Sequence, residues 1–145
     1  MKRRRAREYA LQFLFQSDFR DGKHRKNNLK QFLSEKENDP EVKNFASEII
    51  NGTISALDEI DSVIKKTAEH WVLERMAAVD RNILRFAVYE LLYCNDIPSA
   101  VTINEAIEIA KKYSTSESAA FINGILDKIA RKTKPKQKAT SCITQ

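Results

Sequence analysis

Three glycines and three prolines in 145 residues leave this chain too few turn formers for an all-β fold. Cysteine is as scarce. Cys94 lies in an apolar helical pattern and Cys142 in a polar C-terminal stretch, so their spacing suits neither a disulfide nor a metal-ligand pair. No apolar run approaches the roughly 20 residues of a bilayer-spanning helix. The N-terminus is basic, but Glu8, Gln12, Gln16 and Asp18 interrupt the segment behind it, so a signal-peptide core is missing and the expected location is cytoplasmic. Glycine-rich phosphate loops, dinucleotide fingerprints and nucleophile elbows are absent as well. Two histidines remain, His24 in a polar stretch and His70 beside Trp71. Glu105 and Glu108 share a helix face, where capping and solvation are their expected work. The expectation is a protein that is not an enzyme and carries no cofactor or metal.

What the chain does have is cationic charge, concentrated at its ends. Residues 1–8 hold five cations (Lys2, Arg3, Arg4, Arg5 and Arg7) against one anion, and residues 127–145 hold six against one. The body between them reverses the sign, with fourteen cations and eighteen anions. A helical pattern starts directly behind the first cluster, so these charges are built onto a shaped surface. Arginine suits phosphate because its planar fork donates two parallel hydrogen bonds. Basic material at the ends of an acidic body points to a polyanion-binding patch, although a solubilising terminus would carry the same charge.

Periodicity gives an all-α fold of one domain, residues 1–132, with a basic disordered tail over 133–145. A helix over about 3–19 places Ala6, Ala10, Phe13, Leu14 and Ser17 on one stripe, and a shorter one covers about 26–36. Asp39, Pro40 and Glu41 read as a helix start. From Val42 to Ile64 a three-four apolar spacing continues through Gly52, where a close helix crossing would explain the missing side chain. Residues 79–94 are apolar on most of the circumference, with a polar strip of Asp80, Arg81, Arg85, Tyr89 and Glu90. Ile97 and Pro98 stop that helix, and Thr102 with Glu105, then Ser114 with Glu117, have capping-box spacing.

Single-stranded RNA recognition needs cations along phosphates and exposed aromatic faces for bases. Lys111, Lys112 and Tyr113 end one helix and Phe121 lies early in the next. Tyr113 can equally follow Ala106 and Ala110 into the core, whereas Phe121 stands beside core-like Ile122 and is expected half exposed.

Three stretches carry a family resemblance: RRRAREYALQFLFQ at 3–16, DRNILRFAVYELL at 80–92 and AVTINEAIEIAKKYSTSESAAFINGILDKI at 100–129. Over about residues 2–131 the chain resembles the NusB family of transcription antitermination factors, with residues 20–65 matching in pattern only. The resemblance implies about seven helices in two three-helix bundle halves packed across each other. It also implies binding to the single-stranded boxA element of nascent ribosomal RNA, together with the ribosomal protein NusE, in an RNA polymerase antitermination complex. By motif, Arg3, Arg4, Arg5 and Arg7, with neighbouring Lys2, fall on the family's RNA-binding segment. Glu74, Arg85, Lys112, Tyr113 and Phe121 fall on the same RNA surface. Phe15 and Asp80 fall at NusE-contacting positions that are often Tyr and Glu, and Glu117 falls at an acidic position tied to antitermination. Some NusB-like proteins form homodimers that cover the arginine surface. A similar domain occurs fused to RNA cytosine methyltransferases, but no cofactor loop accompanies it here. A helical protein–protein adaptor is the other reading of the same residues.

Overall fold

The computed structural model describes residues 1–18, 28–68 and 72–137, with side chains as far as Thr133. His24, His70, Trp71 and Cys142 lie outside the described residues. Within them the chain forms seven α-helices and no strand: α1 (Lys2–Asp18), α2 (Leu29–Lys36), α3 (Pro40–Ser55), α4 (Leu57–Thr67), α5 (Ala78–Tyr93), α6 (Ser99–Tyr113) and α7 (Ser116–Gln137). A 3-10 turn, Leu73–Arg75, leads into α5. None of these helices is long and apolar enough to cross a membrane.

Helix α5 is the centre of the molecule, in contact with α1, α3, α4, α6 and α7. On one side α1, α2 and α3 pack together, and on the other α5, α6 and α7 do; the contacts of α5 with α1 and α3 join the two groups. The apolar stripes explain the arrangement. Ala6, Ala10 and Leu14 of α1 have no exposed surface, nor do Ile49 and Ile50 of α3, Ile83 and Leu84 of α5, or Ile122 and Leu126 of α7. Each fully buried Leu or Ile contributes about 1.5–3 kcal/mol relative to exposure. Phe13 meets Phe32 edge to face at 5.3 Å, which seats α2 on α1.

Asp39 caps α3 as the sequence indicates, accepting the Glu41 N–H at 2.9 Å with Pro40 in the first turn. The long stripe from Val42 to Ile64 is, however, two helices. Ala56 leaves the helical region at φ −106° and ψ 20°. Because Ala56 N–H still reaches Gly52 O (3.0 Å) and Ile60 N–H reaches Ala56 O (2.9 Å), the apolar register survives the break. The glycine within that stripe is explained by α5. A Cβ on Gly52 would lie 2.1 Å from Cζ of Tyr89, so the tyrosine ring occupies the space a side chain would need.

Neither capping box forms as read. Helix α6 starts at Ser99, three residues before Thr102, whose hydroxyl donates to Glu90 at 2.8 Å inside the core. At α7 the cap moves by one residue: Thr115 Oγ1, not Ser114, accepts the Ser118 N–H at 3.0 Å. The α7 backbone runs to Gln137, past the end expected near 132, and 138–145 lie outside the described residues.

Candidate nucleic-acid interface

The first turns of α1 present the cation cluster, and its members divide by burial. Lys2, Arg3 and Arg5 are exposed and Arg4 is partly so, because positions 6, 10 and 14 take the core-facing stripe. Arg7 is different. It follows Ala6 into the interior, is 2% exposed, and is held by Glu90 through two hydrogen bonds of 2.7 and 2.8 Å. Its guanidinium is committed to the Glu90 pair inside the fold and is not among the exposed cations. Arg85 is buried for the same reason, pairing with both oxygens of Asp61 at 2.9 and 3.0 Å and approaching Asp18 at 3.4 Å. It too is internal, 7% exposed. The polar strip of α5 is thus an internal ion-pair seam.

The exposed cations are also engaged. Lys2 bridges Asp39 (3.2 Å) and Glu41 (3.0 Å), and the Arg3 guanidinium lies 4.3 Å from the Phe45 ring centroid. Arg4 forks onto Glu105 of α6 at 2.7 and 2.8 Å. Arg5 forks onto Glu37 at 3.0 and 2.9 Å. That fork holds the Glu37 carboxyl far below its ordinary value, down to about 2, with further help from the Tyr9 hydroxyl and the Asp39 N–H. The Arg4 hydrogen bond likewise holds Glu105 low.

Helix α6 joins the cluster along its last turn. Glu8 accepts from Lys112 Nζ at 3.1 Å and from the Tyr113 hydroxyl at 3.0 Å. The Glu8 hydrogen bond raises the Lys112 ammonium, while burial, then Glu8, raises the Tyr113 phenol. With Arg4 already bound to Glu105, the α1–α6 edge gathers Arg4, Lys112 and Tyr113 into one surface. Tyr113 is 37% exposed, so its ring does not continue the core stripe.

A second group lies around the start of α7. Asp80, Glu117 and Phe121 line one cleft of about 470 Å³, together with Val72, Arg75 and Met76. Phe121 is half-buried and packs against the core. Asp80 turns inward, 7% exposed, and accepts hydrogen bonds from Ser114 (2.8 Å) and Ser118 (2.7 Å). The acid that an unpartnered strip would offer to another protein is therefore satisfied within the chain. Phe15 is half-buried on α1, and Glu74 pairs with Lys65 of α4 at 3.2 Å. Tyr9 and Glu37 carry no motif that singles them out in the sequence. The only signal for them was their place beside the arginines and before a helix start. No cluster of His, Cys, Asp or Glu among the described residues is arranged to hold a metal ion.

The described helices form a two-group all-α bundle with a basic and aromatic edge along α1 and α6. The sequence profile of the NusB family matches residues 4–131. A transcription antitermination protein NusB from Thermodesulfovibrio yellowstonii is 52% identical over 141 residues, covering 90% of this chain and 93% of the relative. Another, from Geobacter, is 49% identical over 135 residues, covering 88% and 93%. Among solved structures, T. maritima NusB aligns with a TM-score of 0.85 at 46% identity, covering 94% of this chain and 95% of that one. A chain from the crystal structure of antitermination factors NusB and NusE in complex with dsRNA aligns with a TM-score of 0.81 at 27% identity, covering 90% and 97%. The chain belongs to the NusB family.

Proposed function

We propose that this chain is a cytoplasmic transcription antitermination factor without catalytic activity. It binds the boxA element of nascent ribosomal RNA together with NusE and joins the RNA polymerase antitermination complex. The observation that carries the reading is the α1–α6 edge, where Glu8 brings Lys112 and Tyr113 beside the N-terminal cations. Cations there meet phosphates and the exposed tyrosine face meets a base, the combination that single-stranded RNA requires. Lys2, Arg3, Arg4 and Arg5 are the phosphate contacts; Arg7 and Arg85 support them from inside. The 27% identical chain comes from a complex with NusE and double-stranded RNA, which makes strandedness part of the test.

Fluorescence anisotropy with a boxA-like RNA, with and without NusE, tests this reading. Four phosphate contacts predict that log affinity falls with log salt at a slope no steeper than about −3, since each single-strand contact contributes roughly −0.7. Affinity should rise with NusE present and should fall when the same RNA is annealed to its complement. A slope near zero would remove the phosphate surface and leave the adaptor reading.

A further inference from the structure

Glu37 closes α2 as its C-terminal cap, donating its N–H to Leu33 O at 3.0 Å. Its side chain then turns back to α1, where three kinds of donor converge on one carboxylate. The Arg5 fork supplies two hydrogen bonds and the Asp39 backbone N–H one at 3.1 Å, while the Tyr9 hydroxyl lies 2.9 Å from the carboxylate and shares its single proton with Lys36 O at 3.0 Å. A guanidinium fork, a hydroxyl and a main-chain N–H are the donor set that proteins offer to phosphate oxygens. Here the anion is supplied from within. The Glu37 side chain is 8% exposed while the Arg5 side chain is 44% exposed, so the fork faces solvent over the seated carboxylate.

The other arginine pairs differ in ways that matter. Arg7 and Glu90 are sealed in the core, and Glu105 sits in the middle of α6, where backbone movement would break a helix. Glu37 lies on the three-residue connection between α2 and α3, so its side chain can leave without unwinding either helix. Lys2 keeps Asp39 and Glu41 paired beside the cradle, which limits their repulsion of an incoming anion.

From this geometry we infer that Arg5, the Tyr9 hydroxyl and the Asp39 N–H form a phosphodiester-binding position, filled in the free protein by the Glu37 carboxylate, which an RNA phosphate displaces. The inference rests on the RNA-binding function proposed for this chain and deepens it by naming a phosphate position and its resident competitor. The lowered pKa of Glu37 fits the role, because the competitor stays ionised throughout the physiological range. RNA binding is then an exchange of one anion for another at Arg5. Salt weakens the internal pair as well as the RNA contact, which makes the measured salt slope shallower than the contact count alone.

The test uses the full chain carrying Glu37→Ala, with Glu37→Gln as the variant that keeps the side-chain size. Inorganic phosphate is the first probe, read by the NMR shift of the Asp39 amide. Both variants should titrate, Glu37→Ala more tightly, while the native chain should not respond at matched phosphate. A boxA-like RNA is the second probe. Its affinity should rise about three- to tenfold in Glu37→Ala, the scale of one part-exposed ion-pair contact that no longer has to be broken. The salt slope should steepen by about 0.7. Adding Tyr9→Phe to Glu37→Ala should remove part of the gain. No phosphate response in either variant would overturn the cradle. Phosphate binding with unchanged or weaker RNA affinity would make Glu37 a positioning partner of Arg5 and overturn the exchange. If the native chain bound no RNA, the functional reading would fail, while the phosphate titration would still decide the cradle.

Discussion

Arg7 and Glu90 meet fork to fork inside the protein, at 2.7 and 2.8 Å, and the Thr102 hydroxyl donates to the same carboxylate at 2.8 Å. Three helices, α1, α5 and α6, are pinned at this point. The side chains are 2% and 0% exposed, so removing either partner leaves the other charge in the core without its fork partner. Arg7→Ala and Glu90→Ala should each lower unfolding free energy by about 3–5 kcal/mol. Urea denaturation followed by circular dichroism measures this. Arg7→Met combined with Glu90→Met should cost less than the two single losses added, because no charge is then stranded. Single losses near zero would mean that the pair does not hold α1 against α5.

The glycines of α3 and α7 are a matched pair with opposite expectations. Gly52 faces the Tyr89 ring at overlap distance, whereas nothing lies within 4 Å of where a Cβ on Gly124 would stand. Helix propensity favours alanine over glycine by about 1 kcal/mol at both positions. At Gly124 that gain is unopposed, and Gly124→Ala should stabilise the protein by about 0.5–1 kcal/mol. At Gly52 overpacking costs about 1–3 kcal/mol and outweighs it, so Gly52→Ala should lower Tm. Tyr89→Leu should recover part of the loss in the double variant. Equal responses at the two sites would contradict the crossing of Tyr89 over α3.

Local periodicity made part of this legible in the sequence. The stripe Ala6, Ala10, Phe13, Leu14 and Ser17 is buried as the spacing indicates, and the glycine in the α3 stripe did mark a close crossing. The break at Ala56 was hidden because the apolar register runs straight through it. The partners of the charged residues were hidden because they are remote in sequence: Arg7 with Glu90, Arg4 with Glu105, Arg85 with Asp61. A charge on one helix does not announce whether a carboxylate from another will cover it. For that reason Arg7, Arg85 and Asp80 read as surface groups in the sequence and are internal in the fold.

Acid should weaken the protein through its paired carboxylates. Burial alone would raise Asp18, but hydrogen bonds from Arg81 and Asn82 and the charge of Arg85 prevail and hold it low. Asp39 and Glu105 are also held below their ordinary range, the first by the Glu41 N–H and Lys2, the second by Arg4. Glu37 falls from 4.5 to about 2. A depressed folded value means that the unfolded chain binds protons first as pH drops. Stability from these groups is therefore complete above about pH 4.5 and is lost as the pH falls toward 2. Tm measured from pH 6 to pH 2.5 should decline over that window, and Glu37→Gln should flatten the lower part of the curve. Parallel curves for the two proteins would show that Glu37 is not held low by folding.

Tyr113 and Phe121 separate base stacking from core packing. The Tyr113 ring is 37% exposed and its hydroxyl reaches Glu8, on the edge where Lys112 pairs with the same carboxylate. Phe121 is half-buried against the core and forms one wall of the cleft that holds Asp80 and Glu117. The expectation from sequence favoured Phe121 as the stacking ring; the geometry favours Tyr113. Replacing a stacked aromatic by alanine costs about 1–3 kcal/mol of RNA binding. Tyr113→Ala should show that loss with little change in Tm, since its lost packing is mostly at the surface. Tyr113→Phe should retain RNA binding, because stacking uses the ring and not the hydroxyl. Phe121→Ala should lose stability first, though less than the roughly 3–5 kcal/mol of a fully buried ring. Measuring urea unfolding and RNA affinity on the same three variants decides between the rings. If Phe121→Ala kept its stability and lost RNA binding while Tyr113→Ala bound normally, the stacking surface would move from the α1–α6 edge to the α7 cleft.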